Sequence, residues 1–322
     1  SATGSVHRAT TLSARSRTRA TAGGAFRGVF EFGGQNSPQD ATDPDLAGVD
    51  LVFYWSQLEP ERGVFDWAPV TEAMAPWVAA GKAVILRVST SGAPSWDPPY
   101  SGSATPAWVY GLGVGKVEAA GATIPVYWDP AFLQAYRTFV RAFARHVGHD
   151  PDVALVEAGI GFGGETLPET NASAQDVATW TRDGYSDARW LATVETIASY
   201  YGRAFRRVPV YALVDRTFFD GSGTDFERVL TWVTSRRGWG LQDDGLTATQ
   251  TLEPAWSTVP LALEQLEPTS TSGDCLCQDV ANAVTRLRGQ YLIVYKSDVE
   301  DPANATALAE AARAVGSVAP AP

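Results

Sequence analysis

The sequence predicts a single-domain α/β protein whose eight parallel strands close into a (β/α)8, or TIM, barrel. Eight strand-like apolar runs occur across residues 26–315, and most of them are followed by a helix-like segment. A chain of 322 residues suits one such barrel better than two smaller domains. The sequence shows no internal repeat. The alternative fold is a doubly wound open sheet.

The first three strands are predicted at FRGVFEF (26–32), DLVFYWS (50–56) and KAVILRVST (82–90). A helix follows the second strand, and its apolar face runs from Val70 to Trp77. Arg87 stands inside the otherwise apolar third run, where an unpaired guanidinium would be very costly. We therefore expect Arg87 to pair with carboxylates of the active site, the alternative being a structural ion pair elsewhere.

A long aromatic loop follows the third strand, at residues 91–114. We interpret it as one wall of a substrate cleft, which Trp128 continues, because flat aromatic faces pack against the C–H faces of sugar rings. About half of the 11 Trp and 11 Tyr residues are expected in the core instead. The aromatic candidates for substrate binding are Trp55, Trp96, Trp108, Tyr110 and Trp128.

The fourth strand belongs to the segment DVALVEAGIGFGGETLP, residues 152–168. It is preceded by an amphipathic helix, which we predict from Pro130 to His146. Four glycines, at 159, 161, 163 and 164, allow the backbone to turn sharply after the apolar run. Glu165 would then lie at the carboxyl end of a central strand, on the rim where catalytic side chains of such barrels gather.

Polar residues also follow the remaining strands, which are predicted at 208–215, 238–246, 259–268 and 290–298. Helices are predicted at 187–205, 226–234 and 304–315. The strand ends supply a further set of candidate substrate-binding residues: Asp215, Gln242, Asp243 and Lys296. Glu264 lies on the seventh strand, where alternation places it on the same face as Ala262.

Three regions are predicted along the chain: a basic Ser/Thr/Ala-rich leader or linker at 1–25, the barrel at 26–316 and a tail at 317–322. The leader, which lacks an initiator Met, predicts a secreted protein. The excess of Arg over Lys is typical of a GC-rich bacterial genome. Cys275 and Cys277 are the only cysteines, and both a disulfide and two free thiols remain possible.

The charge and composition exclude several function classes. A net charge of -11 argues against nucleic-acid or anionic-membrane partners, and no apolar run reaches the roughly 20 residues of a membrane span. The three histidines form no cluster for zinc and no catalytic triad, and no G-x-G-x-x-G motif follows the first strand. We therefore expect no metal and no cofactor, with carboxylates performing any acid–base chemistry.

Hydrolysis of a glycosidic bond needs two carboxyl groups, one to protonate the leaving oxygen and one to attack or to activate water. Glu165 and Glu264 follow or lie on the fourth and seventh predicted strands, which stand across the barrel mouth from each other. The pair is therefore the candidate catalytic pair for cleavage of an oligo- or polysaccharide.

At these residues the chain resembles (β/α)8 glycoside hydrolases of clan A. YWSQLEPERGVFDW (54–67) is similar to the segment after strand two in microbial β-galactosidases, and GIGFGGETLP (159–168) resembles the strand-four motif of β-amylases. The resemblance implies that Glu165 is the general acid and Glu264 the second carboxylate. Gly164 stands where clan A enzymes usually have Asn, which favours the β-amylase-like, inverting alternative.

Two other classes remain as alternatives. A catalytically inactive carbohydrate-binding barrel would keep the aromatic loops and both glutamates. A lyase or carboxylate-metal enzyme would use strand-end aspartates, namely Asp215, Asp243 and Asp244. The sugar, the anomer, the choice of exo or endo action and the oligomeric state stay open.

Overall fold

The computed structural model describes residues 26–33, 37–92, 103–219, 221, 223–315 and 317–318. Within them, eight parallel strands form a closed barrel, which confirms the predicted fold class. The predicted leader at 1–25 lies outside the described residues, as does Trp96. The predicted limits of the domain stay a prediction.

Ten strands are present in the described parts of the chain: β1 (Gly28–Phe32), β2 (Leu46–Tyr54), β3 (Ala83–Ser89), β4 (Lys116–Ala119), β5 (Ala122–Pro125), β6 (Val153–Glu157), β7 (Val210–Leu213), β8 (Trp239–Leu246), β9 (Leu261–Gln265) and β10 (Tyr291–Tyr295). The order around the barrel is β1-β10-β9-β8-β7-β6-β3-β2. β4 and β5 form a separate antiparallel hairpin. It lies between the third and fourth barrel strands, where the sequence predicts only a loop.

Side chains that alternate along the strands fill the barrel interior. An apolar cluster there includes Phe30, Ile85, Leu155, Ala262 and Ile293. A larger apolar cluster packs between the strands and the surrounding helices. The interior face that carries Ala83 and Ile85 on β3 continues to Arg87, and that of Ala262 on β9 continues to Glu264, so polar groups replace apolar ones toward the carboxyl ends of the strands.

The helices that surround the barrel are α1 (Trp55–Leu58), α2 (Ala68–Ala79), α3 (Ala107–Tyr110), α4 (Pro130–Val147), α5 (Ala174–Arg182), α6 (Asp187–Ala204), α7 (Thr224–Thr234), α8 (Thr269–Ser272), α9 (Leu276–Asn282), α10 (Lys296–Val299) and α11 (Ala305–Val315). α4 buries the apolar face that its periodicity predicts, including Phe132, Tyr136 and Phe143. None of the helices in the described ranges is long and apolar enough to cross a membrane.

α5 lies between Glu165 and the helix predicted at 187–205, in a segment where the sequence analysis predicts no helix. Ser173 begins it with a capping box: its side chain accepts a hydrogen bond from the Asp176 N–H, and the Asp176 carboxylate accepts one from the Ser173 N–H at 2.9 Å. This S-x-x-D pattern is a sequence signal for a helix start. Farther along, Cys275 and Cys277 are joined by a disulfide bond, which decides between the two alternatives.

Candidate active site

A cleft of about 590 Å³ opens at the carboxyl ends of the barrel strands. Its volume falls within the range that small-molecule sites occupy. Both glutamates of the predicted pair line it. Glu165 follows β6 and Glu264 lies on β9, and β7 and β8 separate these two strands in the barrel. The other described lining residues are Phe32, Arg87, Thr170, Asp244, Leu266, Pro268, Tyr295, Lys296, Ser297 and Glu300.

Arg87 is the centre of a buried ionic cluster at the base of this cleft. Its guanidinium donates to Glu157 through Nε and to Glu264 Oε2 through Nη2, the latter at 2.9 Å. Two aspartates complete what we call the Arg87 cluster: Asp50 Oδ2 is 3.6 Å from Nη2, and Asp244 Oδ2 is 3.8 Å from Nη1. Only 5% of Arg87 is exposed, so one buried cation serves four carboxyl groups.

Glu264 is held by two donors on the same oxygen. Besides the Arg87 contact, Oε2 accepts a hydrogen bond of 3.3 Å from Gln242 Nε2. The same Gln242 nitrogen donates to Asp244 Oδ1 at 2.9 Å. Charge-assisted donors favour the ionised form of a carboxyl group, so these contacts work in favour of a carboxylate at Glu264.

Glu165 lies on a loop rather than directly at a strand end. β6 ends at Glu157, and the chain then passes through a short 3-10 turn, Phe162–Gly164, before it reaches Glu165. The Glu165 N–H donates to the Phe162 carbonyl at 3.1 Å, and the Glu165 carbonyl accepts from the Gly161 N–H at 2.8 Å. These two bonds fix the backbone at Glu165, whose side chain is half-buried.

The glycines before Glu165 are required by close packing. A Cβ atom on Gly159 would lie 1.9 Å from the Val88 carbonyl oxygen, and one on Gly161 would lie 2.1 Å from the Leu167 carbonyl oxygen. Gly164 adopts φ = 100°, which side chains strongly disfavour. The glycine run therefore brings the Glu165 loop against β3, and Arg87 Nη1 donates to the Gly163 carbonyl at 3.2 Å.

Burial changes the acidity of both glutamates. Desolvation raises the pKa of Glu165 well above its usual range, and the neighbouring charge of Asp244 adds to this effect. Burial and the charge of Asp244 likewise raise the pKa of Glu264, whereas Arg87 opposes the rise. Burial raises the pKa of Asp244 itself to about 7. A single guanidinium cannot neutralise this many carboxyl groups, so the site holds protons near neutral pH.

Three carboxyl groups of the Arg87 cluster come within 4.8 Å of one another, a spacing that could hold a metal ion: Asp50, Glu157 and Glu264. The guanidinium of Arg87 contacts all three, and its positive charge would repel a divalent cation there. The donor set therefore fits an ion-pair network better than a metal centre. The aspartates of the metal-enzyme alternative form no comparable group among the described residues.

The predicted aromatic wall does not line the cleft within the described residues. Trp55 is fully buried, with its indole N–H donated to Glu59 Oε2 at 2.8 Å, so its prediction as a substrate-binding residue is wrong. Trp108 packs edge-on against Trp55 and donates to the Glu59 carbonyl. Tyr110 donates weakly to the Thr123 carbonyl at 3.4 Å.

Trp128 belongs to a different groove. It lines an outer surface between α4 and α6 with Asp183 and Arg189, and its indole N–H donates to the Asp183 carbonyl at 3.1 Å. Trp96 cannot be placed, since it lies outside the described residues. The aromatic loop after β3 therefore contributes mainly core and surface packing where the structure describes it.

The polar candidates divide into three positions. Lys296 lines the cleft and pairs with Glu300 at 2.9 Å. Gln242 is fully buried, and its side-chain amide donates hydrogen bonds to Asp244 and Glu264. Asp215 and Asp243 stand at the rim, where their charges raise the pKa of Glu165 but their side chains do not line the cleft.

Asp50 and Glu157 are site residues that the sequence analysis did not identify. Both are fully buried, and Glu157 is in register with Arg87 on the neighbouring strand. The sequence does contain a signal for these two residues. Each is the single acid inside an apolar strand, just as Arg87 is the single base inside β3. The need to pair the buried charges predicts their contact once the strands are known to be neighbours.

The chain matches a known family of enzymes over more than half of its length. The model of glycoside hydrolase family 42, described as β-galactosidase, matches residues 43–228. Glu165 lies within this match and Glu264 lies beyond it. A β-galactosidase of Xanthomonas manihotis is 29% identical over 112 residues, which are 34% of this chain. The matched segment spans only 17% of the length of that relative.

Solved structures share the barrel at low sequence identity. The catalytic domain of β-amylase from Paenibacillus polymyxa has a TM-score of 0.65 at 11% identity. The superposition covers 93% of this chain and 100% of the β-amylase chain. A β-galactosidase from Marinomonas ef1 has a TM-score of 0.54 at 12% identity, with coverages of 89% and 58%. Endo-glycoceramidase II from Rhodococcus sp., a lactosyl-enzyme intermediate, has a TM-score of 0.51 at 14% identity, with coverages of 87% and 74%.

Proposed function

The chain belongs to glycoside hydrolase family 42, and we propose that it hydrolyses glycosidic bonds with Glu165 as general acid and Glu264 as the second carboxylate. The observation that carries this proposal is that both glutamates line one cleft at the carboxyl end of the barrel. Catalytic groups of (β/α)8 enzymes come from this end. Two carboxyl groups facing one sugar-sized cavity are the minimum that glycoside hydrolysis requires.

The hydrogen bonds of Glu264 and the surroundings of Glu165 support the assignment of the two roles. Glu264 Oε2 receives one N–H from the Arg87 cation and one from Gln242, both of which favour its carboxylate form. Glu165 has its pKa raised by burial and by the negative charge of Asp244, both of which favour its protonated form. An acid that holds its proton near neutral pH is suited to protonate a leaving oxygen.

The charges of the cleft favour a neutral sugar. Its described lining contains the two glutamates, Asp244 and Glu300, against only Arg87 and Lys296. Both cations are already paired, Arg87 with the acids of its cluster and Lys296 with Glu300. An anionic sugar would therefore meet net negative charge at close range. Aryl β-galactosides and soluble starch are the first substrates to test, because β-galactosidases and a β-amylase are among the similar proteins.

The test compares Glu165→Gln and Glu264→Gln with two matched controls, Glu169→Gln and Glu267→Gln. Glu169 is a buried glutamate that accepts from Trp180, and Glu267 lies three residues beyond Glu264; neither is among the described lining residues. We expect each catalytic-pair variant to lose about 10²- to 10⁴-fold in kcat on the natural glycoside, with little change in the controls. Near-full activity in either pair variant would overturn the assignment.

A second comparison separates the acid from its partner. Aryl glycosides with good leaving groups need little protonation, so Glu165→Gln should retain most of its activity on them, whereas Glu264→Gln should not. The anomer of the first product, followed by NMR, then shows whether Glu264 attacks the sugar directly or activates water. If wild-type protein binds oligosaccharides but hydrolyses none of the panel, the inactive binding barrel is the better description.

Secretion is part of the same proposal. The Cys275–Cys277 disulfide supports it, because disulfides persist mainly in oxidising compartments. The protein is denatured without a reductant, treated with an alkylating reagent and analysed by mass spectrometry. Neither cysteine should be modified. Recovery of both thiols as alkylated residues from cells, with none of the protein in the medium, would contradict secretion.

A further inference from the structure

Asp244 lies on β8, which stands between β9, the strand of Glu264, and β6, the strand that precedes Glu165. Its Oδ1 accepts from Gln242 Nε2 at 2.9 Å, and this same nitrogen lies 3.3 Å from Glu264 Oε2. Its Oδ2 lies 3.8 Å from Arg87 Nη1, and its side chain lines the cleft with Glu165 and Glu264. Asp244 is thus held in place by an amide and a cation while it faces the cavity.

Electrostatics connect Asp244 to both glutamates. Among neighbouring charges, Asp244 makes the largest contribution to the raised pKa of Glu165 and also to that of Glu264. Burial, opposed by Arg87, raises the pKa of Asp244 itself to about 7. Its own charge therefore changes in the pH range where the proposed acid and its partner must differ in protonation.

We propose that Asp244 is a positioning residue whose charge determines how the proton is distributed between Glu165 and Glu264. The inference rests on the proposed function, since it names a third carboxyl group of the same site. An ionised Asp244 makes loss of a proton from Glu165 less favourable, which keeps the proton donor loaded. Arg87 opposes the rise in the pKa of Glu264, and both Arg87 and the Gln242 amide donate hydrogen bonds to its carboxylate form.

Other charged groups face the three carboxyl groups and contribute smaller effects. Those acting on Glu165 or Glu264 from the neighbouring elements are Arg87, Asp50, Glu157, Asp215 and Asp243. Asp215 and Asp243 are among the main charges that act on Glu165, whereas Asp50 and Glu157 are among those that act on Glu264. Among the main electrostatic effects of the described residues, those of Asp244 and Arg87 are common to both members of the pair, and Arg87 acts with the opposite sign.

The test uses Asp244→Asn, which removes the charge and keeps the shape of the side chain. We expect both limbs of the bell-shaped kcat/KM profile to move to lower pH, by about one unit, because both glutamates lose a neighbouring negative charge. Asp244→Glu restores the charge and should restore the wild-type limbs even if kcat is lower. Asp243→Asn is the matched control, because Asp243 Oδ1 accepts hydrogen bonds from the Gly245 N–H and the Gln250 amide rather than from Gln242. It should move the two limbs of the profile by less than half as much as Asp244→Asn does.

A direct titration separates this inference from the proposed function. The carboxyl carbon of Glu165 can be followed by NMR in 13C-glutamate-labelled protein and assigned by its loss in Glu165→Gln. Its pKa should fall by about one unit in Asp244→Asn, whether or not a substrate has been found. Should Asp244→Asn fail to fold, Asp244→Ser carries the same prediction.

Two results would overturn the inference. An unchanged pKa of Glu165 in Asp244→Asn would show that Asp244 does not control the proton donor, even if hydrolysis by Glu165 and Glu264 is established. A rise in KM with both pH limbs unmoved would show that Asp244 binds the substrate instead. Failure of the proposed function, by contrast, would appear as lack of hydrolysis in wild type while the NMR titration still responds.

Discussion

Replacing Arg87 by Met should destabilise the protein strongly at alkaline pH and much less at acidic pH. Met fills a similar volume but leaves four carboxyl groups of the cluster without their cation. At an effective dielectric of about 20, a contact such as the 2.9 Å bond to Glu264 is worth about 6 kcal/mol before desolvation is subtracted. Removing one partner of a buried pair costs about 3–5 kcal/mol in practice, which is the loss expected at pH 8.

The pH dependence follows from the raised pKa values of the acids. A carboxyl group whose pKa is higher in the folded than in the unfolded protein contributes stability below its unfolded pKa, and this contribution is lost as pH rises through the folded value. For Asp244 the interval runs from 3.8 to about 7. Without Arg87 the folded pKa values rise further, so stability of the variant falls more steeply with pH. At pH 5, where the acids can take up protons, we expect a loss of only about 1–2 kcal/mol.

Urea denaturation followed by Trp fluorescence at pH 5 and pH 8 measures this difference, and kcat is measured on the same samples. Arg228→Met is the control, because Arg228 pairs with Glu195 at 3.0 Å on the surface with 54% of its side chain exposed. It should change stability by less than about 1 kcal/mol at either pH. A pH-independent loss in Arg87→Met would refute the reasoning, since it would mean that the guanidinium acts through packing alone.

Two further variants test the loop and the aromatic residues. Gly159→Ala should lower stability by about 2 kcal/mol or more and reduce kcat, since its Cβ would lie 1.9 Å from the Val88 carbonyl oxygen. Thermal melts and kinetics measure both effects. A melting temperature equal to that of the wild type would contradict the packing argument. Trp128→Ala should lower the melting temperature but leave KM within about twofold of the wild-type value, because the groove that Trp128 lines is separate from the cleft. A large rise in KM would show that Trp128 binds substrate.

The fold could be predicted because each barrel strand is an apolar run that needs burial on both faces. The cleft could be predicted because parallel strands place all their carboxyl ends at one mouth. The position of Glu165 was predicted less well: β6 ends at Glu157, and the seven residues between them fold as a loop. The apolar and glycine residues of that segment suit a buried loop as well as a strand, so strand length could not be determined from them.

The prediction for Trp55 is wrong for a different reason. A tryptophan has a large apolar surface and one N–H donor, and either a sugar or the core can satisfy both. Trp55 meets this need internally, through Glu59 and the rings of α4. Composition therefore predicts how much aromatic surface exists but not which way it faces, because side-chain direction in a long loop depends on contacts that only the folded chain supplies.

The Arg87 cluster shows why charge inside a strand is more informative than aromatic content. Its members come from β2, β3, β6, β8 and β9, so barrel closure alone brings them together. Burying four acids around one base costs stability that an apolar interior would not lose. The cluster lies at the carboxyl ends of the strands, and three of its members, Arg87, Asp244 and Glu264, line the cleft. The proposed function needs one protonated and one ionised carboxyl group there. The lone Arg in VILRVST therefore predicts the location of the candidate site.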